Sequence, residues 1–430
     1  MEHPYHVTTL DNGLRVVVTP QPHVARAHVS LYVRVGSRFE DESTNGISHF
    51  LEHMLYRGTP TLKNAHEVNN AFESLGGYLY AATQADFGVF SVTMPPESLE
   101  GSTALFGEVL REPTFADIEL EKGIVCEEIL EDLDDDGRQI DADNLLKAMV
   151  YPSHPLGFTI TGDEKRVRSF TRDVCRSHHT KHYNAANAVL GFAGPVDPQA
   201  AFDLAARTFG AMAKGTPVDY VSPSHGQKKP RIKIVENVCS QTELRVSLRA
   251  VPERSAHRAT MDMLLRILDD GMSTRLYHRI CDDRGLCYDV SAEFDGYEDD
   301  GHLDFAAGCQ HARTTVVARE ILAMMAELAK NGPTEEELAK ARRRNAWEVR
   351  AMFDSPEDVA GFYAGSILFD RFVTPEARLA ENTAVTREQI RDLVRMLLDP
   401  SRLNVVAVGL LEKGEDKRLS ELVKTFGGAA

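Results

Sequence analysis

The chain has 430 residues, of which 43% are hydrophobic and 26% charged. That is a globular composition, at a length that divides into two or more domains rather than one core. The net charge of −17, from 65 acidic against 48 basic residues, argues against a nucleic-acid partner, and no apolar run approaches the about 18 residues a membrane span needs.

The opening Met1-Glu2-His3-Pro4-Tyr5-His6 lacks a basic segment followed by an apolar one. No secretory signal is expected there, and the expected location is cytoplasmic. Asn12-Gly13 is a hairpin turn signal, and Leu14 to Val18 reads as a strand. Val29 to Val35 alternates and reads as a second strand. His49-Phe50-Leu51-Glu52-His53 follows, in the order H-x-x-E-H. Ile47, Phe50, Leu51, Met54 and Leu55 form an apolar stripe, so this is a buried amphipathic helix. On a helix, residues four apart lie one turn apart on the same face. His49 and His53 can thus aim two imidazoles at one metal ion. Glu52 projects from much the same side, close enough to take a proton from a water at the metal. Two histidines, a third protein ligand and an open position are the usual hydrolytic zinc arrangement, here in the inverted order called inverzincin.

Thr61 to Leu75 reads as a helix ended by Gly76-Gly77. Tyr78 to Met94 alternates over two strands. Leu99 to Leu110 is helical, and Asp117 to Asp134 is a long acidic helical run. His178, His179 and His182 also have helical spacing, but no glutamate lies between them, so a structural or exposed role is expected. Residues 213 to 231, with three prolines and two glycines, read as a linker.

The order of elements then recurs. Arg231 to Val235 and Gln241 to Leu248 read as strands and Ala259 to Leu268 as a helix. Cys287 to Phe294 and Gly301 to Gly308 alternate, and Pro333-Thr334-Glu335 opens a long helix. An internal duplication is the natural reading. The expected fold is α+β: two homologous lobes, each a mixed or antiparallel sheet with helices on one face. The expected boundaries are an N-terminal metal-binding domain at 1–213, a linker at 214–231 and a metal-free domain at 232–430. In the second half Met261, Leu264 and Leu265 stand where the first carries its metal residues. The six cysteines are scattered without a C-x-x-C pair and read as reduced thiols.

These residues resemble the pitrilysin family of zinc metallopeptidases, in its short-chain branch with the mitochondrial processing peptidase subunits. The resemblance spans the chain in order. It runs through Leu10 to Arg15, Gly46 to Thr59, Leu75-Gly76-Gly77, His154 to Gly157, His182-Tyr183-Asn184, Gly271 to Leu276 and Arg284 to Tyr288. It implies one zinc ion per chain and a third ligand about 75 residues after the second histidine. Glu128 matches that position, with Glu127 as its neighbouring alternative. It also implies a supporting carboxylate at Glu121, seven residues earlier and therefore on the same helical face, and Glu52 as the catalytic base.

Substrate peptides would add as a strand along Tyr80-Ala81-Ala82-Thr83, where Tyr80 replaces the family's usual Asn. Tyr288 matches a substrate-contacting tyrosine, while Cys281 stands where the family has its accompanying Arg, so this half-site lacks its charged contact. The implied activity is endopeptidase cleavage of extended peptides inside a dimeric clam-shell, as a homodimer or with a related metal-free chain. The alternative is a non-catalytic or weakly active partner subunit. Neither nucleic acid nor membrane is an expected partner.

Overall fold

The protein is described here by a computed structural model covering residues 5–427. The chain packs as two compact units. Among the described residues no helix is long and apolar enough to cross a membrane.

The first unit is built on a six-stranded sheet. Its strands are β1 (His6–Thr9), β2 (Arg15–Pro20), β3 (Ala27–Val33), β4 (Tyr78–Thr83), β5 (Gly88–Met94) and β6 (Ala188–Gly194). Their order is β1-β2-β6-β3-β5-β4. The Asn12-Gly13 turn closes the β1–β2 hairpin, with Gly13 at φ +94°, a conformation that favours glycine. The β2–β6 pair is parallel and the rest antiparallel. Central β6 is buried along its whole length. Its sequence, Ala-Val-Leu-Gly-Phe-Ala-Gly, is apolar on both faces because helices cover both.

The second unit repeats this plan with five strands, β7 (Arg231–Val235), β8 (Thr242–Arg249), β9 (Cys287–Gly296), β10 (Gly301–Cys309) and β11 (Leu403–Val408), in the order β7-β11-β8-β10-β9. Replacing β2, β6, β3, β5 and β4 by β7, β11, β8, β10 and β9 reproduces every neighbour and every direction, including the single parallel pair. The duplication is therefore topological. The helix Arg258–Leu268 stands where the first repeat has Ile47–Leu55, and its Met261 and Leu264 are fully buried in an apolar core.

The packing division differs from the contiguous 1–213, 214–231, 232–430 reading. The first unit takes the chain to Glu131, Phe158–Val221 and Val349–Glu376, and the second takes Asp132–Gly157, Ser222–Glu348 and the chain from Ala377. The chain also passes from the first unit to the second after Val221. The other crossings exchange equivalent helices between repeats. Ala142–Val150 follows the first repeat's long acidic helix but packs on β8 and β11. Pro356–Leu368 follows the second repeat's long helix but packs on β2, β3 and β6. There Ala360 and Ala364 approach β6 at Gly191, where an added Cβ would lie 3.7 and 3.6 Å from their methyls. Apolar periodicity tells that a helix has a buried face. It does not tell which of two similar sheets receives it.

Candidate metal centre

The helix Ile47–Leu55 begins at Gly46, whose φ of +91° and close contacts exclude a side chain. A Cβ there would sit 2.6 Å from the Thr161 carbonyl oxygen and 2.7 Å from Gly162 Cα. The free N–H groups of this first turn are met by a carboxylate from outside the helix. Buried Glu40 accepts from Gly46 N and Ser48 N, each at 2.8 Å, and from Asn45 Nδ2 at 3.1 Å. This is N-terminal capping with a favourable charge for the helix dipole. Burial nonetheless pushes the Glu40 carboxyl above its ordinary pKa, against those hydrogen bonds.

The helix buries Ile47, Phe50, Leu51, Met54 and Leu55, which leaves His49, Glu52 and His53 on its polar side. The helix Ile118–Glu131 crosses it and brings Glu128 to both imidazoles. Glu128 Oε1 lies 3.4 Å from His49 Nε2, and Oε2 lies 3.7 Å from His53 Nε2. One ligand atom from each of His49, His53 and Glu128 can be chosen so that all three lie within 4.8 Å of one another. Four ligands at tetrahedral angles and about 2.1 Å from an ion stand about 3.4 Å from each other. The donor set and its spacing therefore fit a zinc ion. Glu127 is exposed, about 100° round the same helix from Glu128.

The surroundings act in opposite senses on the two imidazoles. Burial, then the neighbouring His53, pulls His49 down to a pKa of about 3, so its ring is neutral. For His53 burial pulls downward, but the hydrogen bond and charge of Glu121, with Glu128 and Glu52, outweigh it and leave the pKa raised. Glu121 is buried and accepts from His53 Nδ1 at 2.8 Å. Its other oxygen pairs with Arg57. This fixes the His53 tautomer and presents Nε2. Glu52 is not among the grouped ligand atoms. It accepts a 2.5 Å hydrogen bond from Thr83 Oγ1, and burial raises its pKa against that bond.

Thr83 ends β4, the last strand of its sheet, so the metal helix lies beside a sheet edge. Pairing opposite β5 puts Leu79, Ala81 and Thr83 on one face of β4 and Tyr78, Tyr80 and Ala82 on the other. Thr83 reaches Glu52, whereas the Tyr78 hydroxyl reaches Glu357 at 3.4 Å on the helix that covers the opposite face. The half-exposed Tyr80 ring therefore points away from the metal-helix face. Tyr288 belongs to the second unit, on edge strand β9, and is 90% exposed. Cys281 is half-buried with its sulfur 3.6 Å from that of Cys287.

The second histidine group is used structurally. His178 Nε2 meets Ser48 Oγ at 3.2 Å, His179 Nε2 meets the Leu110 carbonyl at 2.8 Å, and His182 Nδ1 meets the Arg34 carbonyl at 3.0 Å. Sequence reasoning missed Glu40 and Arg57, and it placed Thr83 on the edge strand without its hydrogen bond to Glu52. The first two lie near H-x-x-E-H in the chain, but no spacing rule links a loop carboxylate or a post-helical arginine to it.

A partly buried His-His-Glu cluster with an adjacent carboxylate defines a candidate hydrolytic metal centre. Comparison with known proteins gives the family. Residues 15–164 match the model of "Insulinase (Peptidase family M16)" and residues 169–345 that of "Peptidase M16 inactive domain". An uncharacterized zinc protease of Mycobacterium tuberculosis is 30% identical over 400 residues, covering 91% of this chain and 90% of that protein. Another from Bacillus subtilis is 28% identical, covering 90% and 94%. A protease structure from Helicobacter pylori superposes with a TM-score of 0.89 at 21% identity, covering 95% of this chain and all of that one. A Pseudomonas fluorescens structure titled as a peptidase M16 inactive domain gives 0.86 at 23%, covering 94% and 98%. The chain belongs to peptidase family M16, the pitrilysin and insulinase family of zinc metallopeptidases.

Proposed function

We propose that this chain is a zinc-dependent endopeptidase acting on extended peptides and unfolded segments, of the kind found in the short-chain, processing-peptidase-like branch. The observation that carries this reading is that His49, His53 and Glu128 converge while Glu52 stays beside them as a carboxylate held by Thr83. Zinc, when bound, supplies a Lewis acid that polarises the scissile carbonyl and acidifies a water. Glu52 takes the proton of the attacking water and returns it to the leaving amine. Its raised pKa suits both transfers. Glu121 positions His53 and neutralises Arg57. The free edge of β4 takes the peptide as an added strand, with backbone groups of Tyr80, Ala81 and Ala82 as partners. Such binding demands extended backbone and little sequence, which excludes stably folded substrates.

Tyr288 is assigned a substrate contact, and one zinc ion is assigned to each chain. The proposed assembly is a dimer, and Cys281 in the family's Arg position favours a related metal-free chain as the second subunit. The same Cys281 is the one observation that favours the second reading, a partner subunit of low activity. Zinc content and turnover of a quenched, unfolded peptide test the proposal together. One zinc per chain, loss of turnover on chelation and recovery on zinc addition are expected. Stoichiometric zinc with no turnover, alone or with a metal-free relative, would favour the second reading.

A further inference from the structure

Cys281 and Cys287 are six residues apart in the chain, yet their sulfurs stand 3.6 Å apart, in contact and without a bond between them. The backbone brings them together. His278–Asp282 forms a π-turn, in which Asp283 N donates to the His278 carbonyl at 2.8 Å. Gly285, at φ +56°, then reverses the chain, and Gly285 N and Leu286 N donate back to the Cys281 and Ile280 carbonyls at 3.0 and 2.9 Å. Cys287 therefore enters β9 beside the cysteine that precedes the turn. Both cysteines are half-buried, while residues 282–285 are exposed and a Cβ added at Gly285 would meet nothing within 4 Å. Solvent reaches the pair from the side of this turn.

The strand beyond the pair is irregular at the residue assigned to peptide binding. Gly308 faces Asp289 and Cys309 faces Cys287, so Tyr288 is an extra residue with no partner of its own on β10. Such a bulge re-aims a side chain, and Tyr288 is 90% exposed. Cys287 thus anchors one flank of the Tyr288 bulge, and Cys281 touches that anchor. Cys309 is engaged elsewhere: it is buried and its thiol donates to Thr314 Oγ1 at 3.8 Å. Among the described residues the cysteines form no group of three with metal-ligand spacing. The chemistry left to the pair is that of a dithiol.

We infer that Cys281 and Cys287 form a reversible disulfide that displaces the Tyr288 bulge and so weakens peptide binding when oxidised. The inference rests on the peptidase reading above, which supplies the Tyr288 contact, and adds regulation to it. Two sulfurs in contact need to approach by about 1.6 Å to reach bonding distance. The oxidant is a low-molecular-weight disulfide of the glutathione kind. The Cys281 sulfur attacks one sulfur of that disulfide, whose S–S bond breaks and whose other half leaves as a thiol. Cys287 then attacks the Cys281 sulfur and expels the second half. The two protein thiols lose two electrons and two protons, and the two halves of the oxidant gain them. Burial raises the pKa of both thiols; the hydrogen bond between them offsets this at Cys281 and adds to it at Cys287, so Cys281 attacks first. Thiolate is scarce in such a pair, so the exchange is slow.

In the test, the zinc-loaded full-length chain is equilibrated with graded ratios of oxidised to reduced glutathione, freed of glutathione and mapped by mass spectrometry. A Cys281–Cys287 link that forms with loss of two hydrogens and is reversed by reduced glutathione is expected, with slower amide exchange from Asp282 to Asp289. Oxidation should raise the KM for a quenched, unfolded peptide at least about threefold and leave kcat little changed. Cys281→Ser and Cys287→Ser should show neither the link nor a redox-dependent KM. Cys309→Ala should keep both, and Tyr288→Ala should keep the link and lose the dependence. Glutathione retained as a mixed disulfide, a link to Cys309 instead, or no link at the most oxidising ratio overturns the inference at its chemistry. A Cys281–Cys287 link with an unchanged KM overturns the switch and leaves the peptidase reading standing. Absence of turnover in both redox states overturns the peptidase reading and the switch with it.

Discussion

Replacing Glu121 separates the metal ligands from the residues that hold them. Glu121 is 3% exposed and sits between His53 Nδ1, at 2.8 Å, and Arg57. Loss of an outer partner of a ligating histidine typically weakens metal binding about 10- to 100-fold, or about 1.4–2.7 kcal/mol. Glu121→Gln keeps an acceptor for His53 but removes the charge, so about tenfold is expected. Glu121→Leu removes both and should reach about 100-fold. It also leaves the Arg57 guanidinium, largely buried itself, without its anion, which should cost about 2–3 kcal/mol of stability. The double variant Arg57→Met/Glu121→Leu should regain most of that stability and none of the zinc affinity. Competition with a chelator of known affinity reads the first quantity, and urea unfolding of the metal-free protein reads the second. Glu121→Gln and Glu121→Leu binding zinc as tightly as the wild type would refute the positioning role.

Gly46→Ala should lower stability by about 2–3 kcal/mol and reduce zinc occupancy, because its φ of +91° is strained for alanine and its Cβ would meet backbone at 2.6 Å; an unchanged urea midpoint would contradict this. Acid should destabilise the first unit through His28, which is 4% exposed, 2.9 Å from Thr93 Oγ1 and lowered by burial to a pKa of about 4 despite Glu357. The folded protein keeps it neutral, while the unfolded chain protonates it near 6.5. Stability is thus full above about pH 6.5 and lost as pH falls towards 4, by up to about 3 kcal/mol. His28→Gln should flatten that part of a stability–pH curve, and an unaltered slope would count against it. Glu357→Ala should loosen the exchanged helix Pro356–Leu368, since Glu357 joins Arg26 at 3.1 Å and Thr93 at 3.0 Å. Faster amide exchange confined to that helix and β3 is the expected readout, and unchanged protection there would deny the anchor.

Much of this architecture is legible residue by residue. Asn12-Gly13 marks its hairpin, alternation marks β4 and β5, and the stripe from Ile47 to Leu55 marks the metal helix, because each signal is local. Strand β6 has no alternation, since both its faces are covered, and nothing local separates it from a short buried helix. The helix exchange was not legible for a different reason. Ala142–Val150 and Pro356–Leu368 each advertise one apolar face, and two sheets of identical order compete for it. In the site, His49, Glu52 and His53 stand out because one helical turn joins them. Glu128 needed the family spacing. Glu40, Arg57 and the role of Thr83 become visible only when the chain is folded, because loop, helix end and strand end meet there. The orientation of Tyr80 likewise depends on strand register, which alternation alone leaves open by one residue.

The central claim is that Glu52 does chemistry while His49, His53 and Glu128 hold zinc. The most direct measurement is parallel zinc content and peptide turnover for wild type, Glu52→Gln and Glu128→Gln. The account predicts one zinc per chain with turnover for the wild type, undiminished zinc with turnover lowered by at least about a thousandfold for Glu52→Gln, and loss of both for Glu128→Gln. Zinc lost from Glu52→Gln, with zinc and turnover intact in Glu128→Gln, would contradict it.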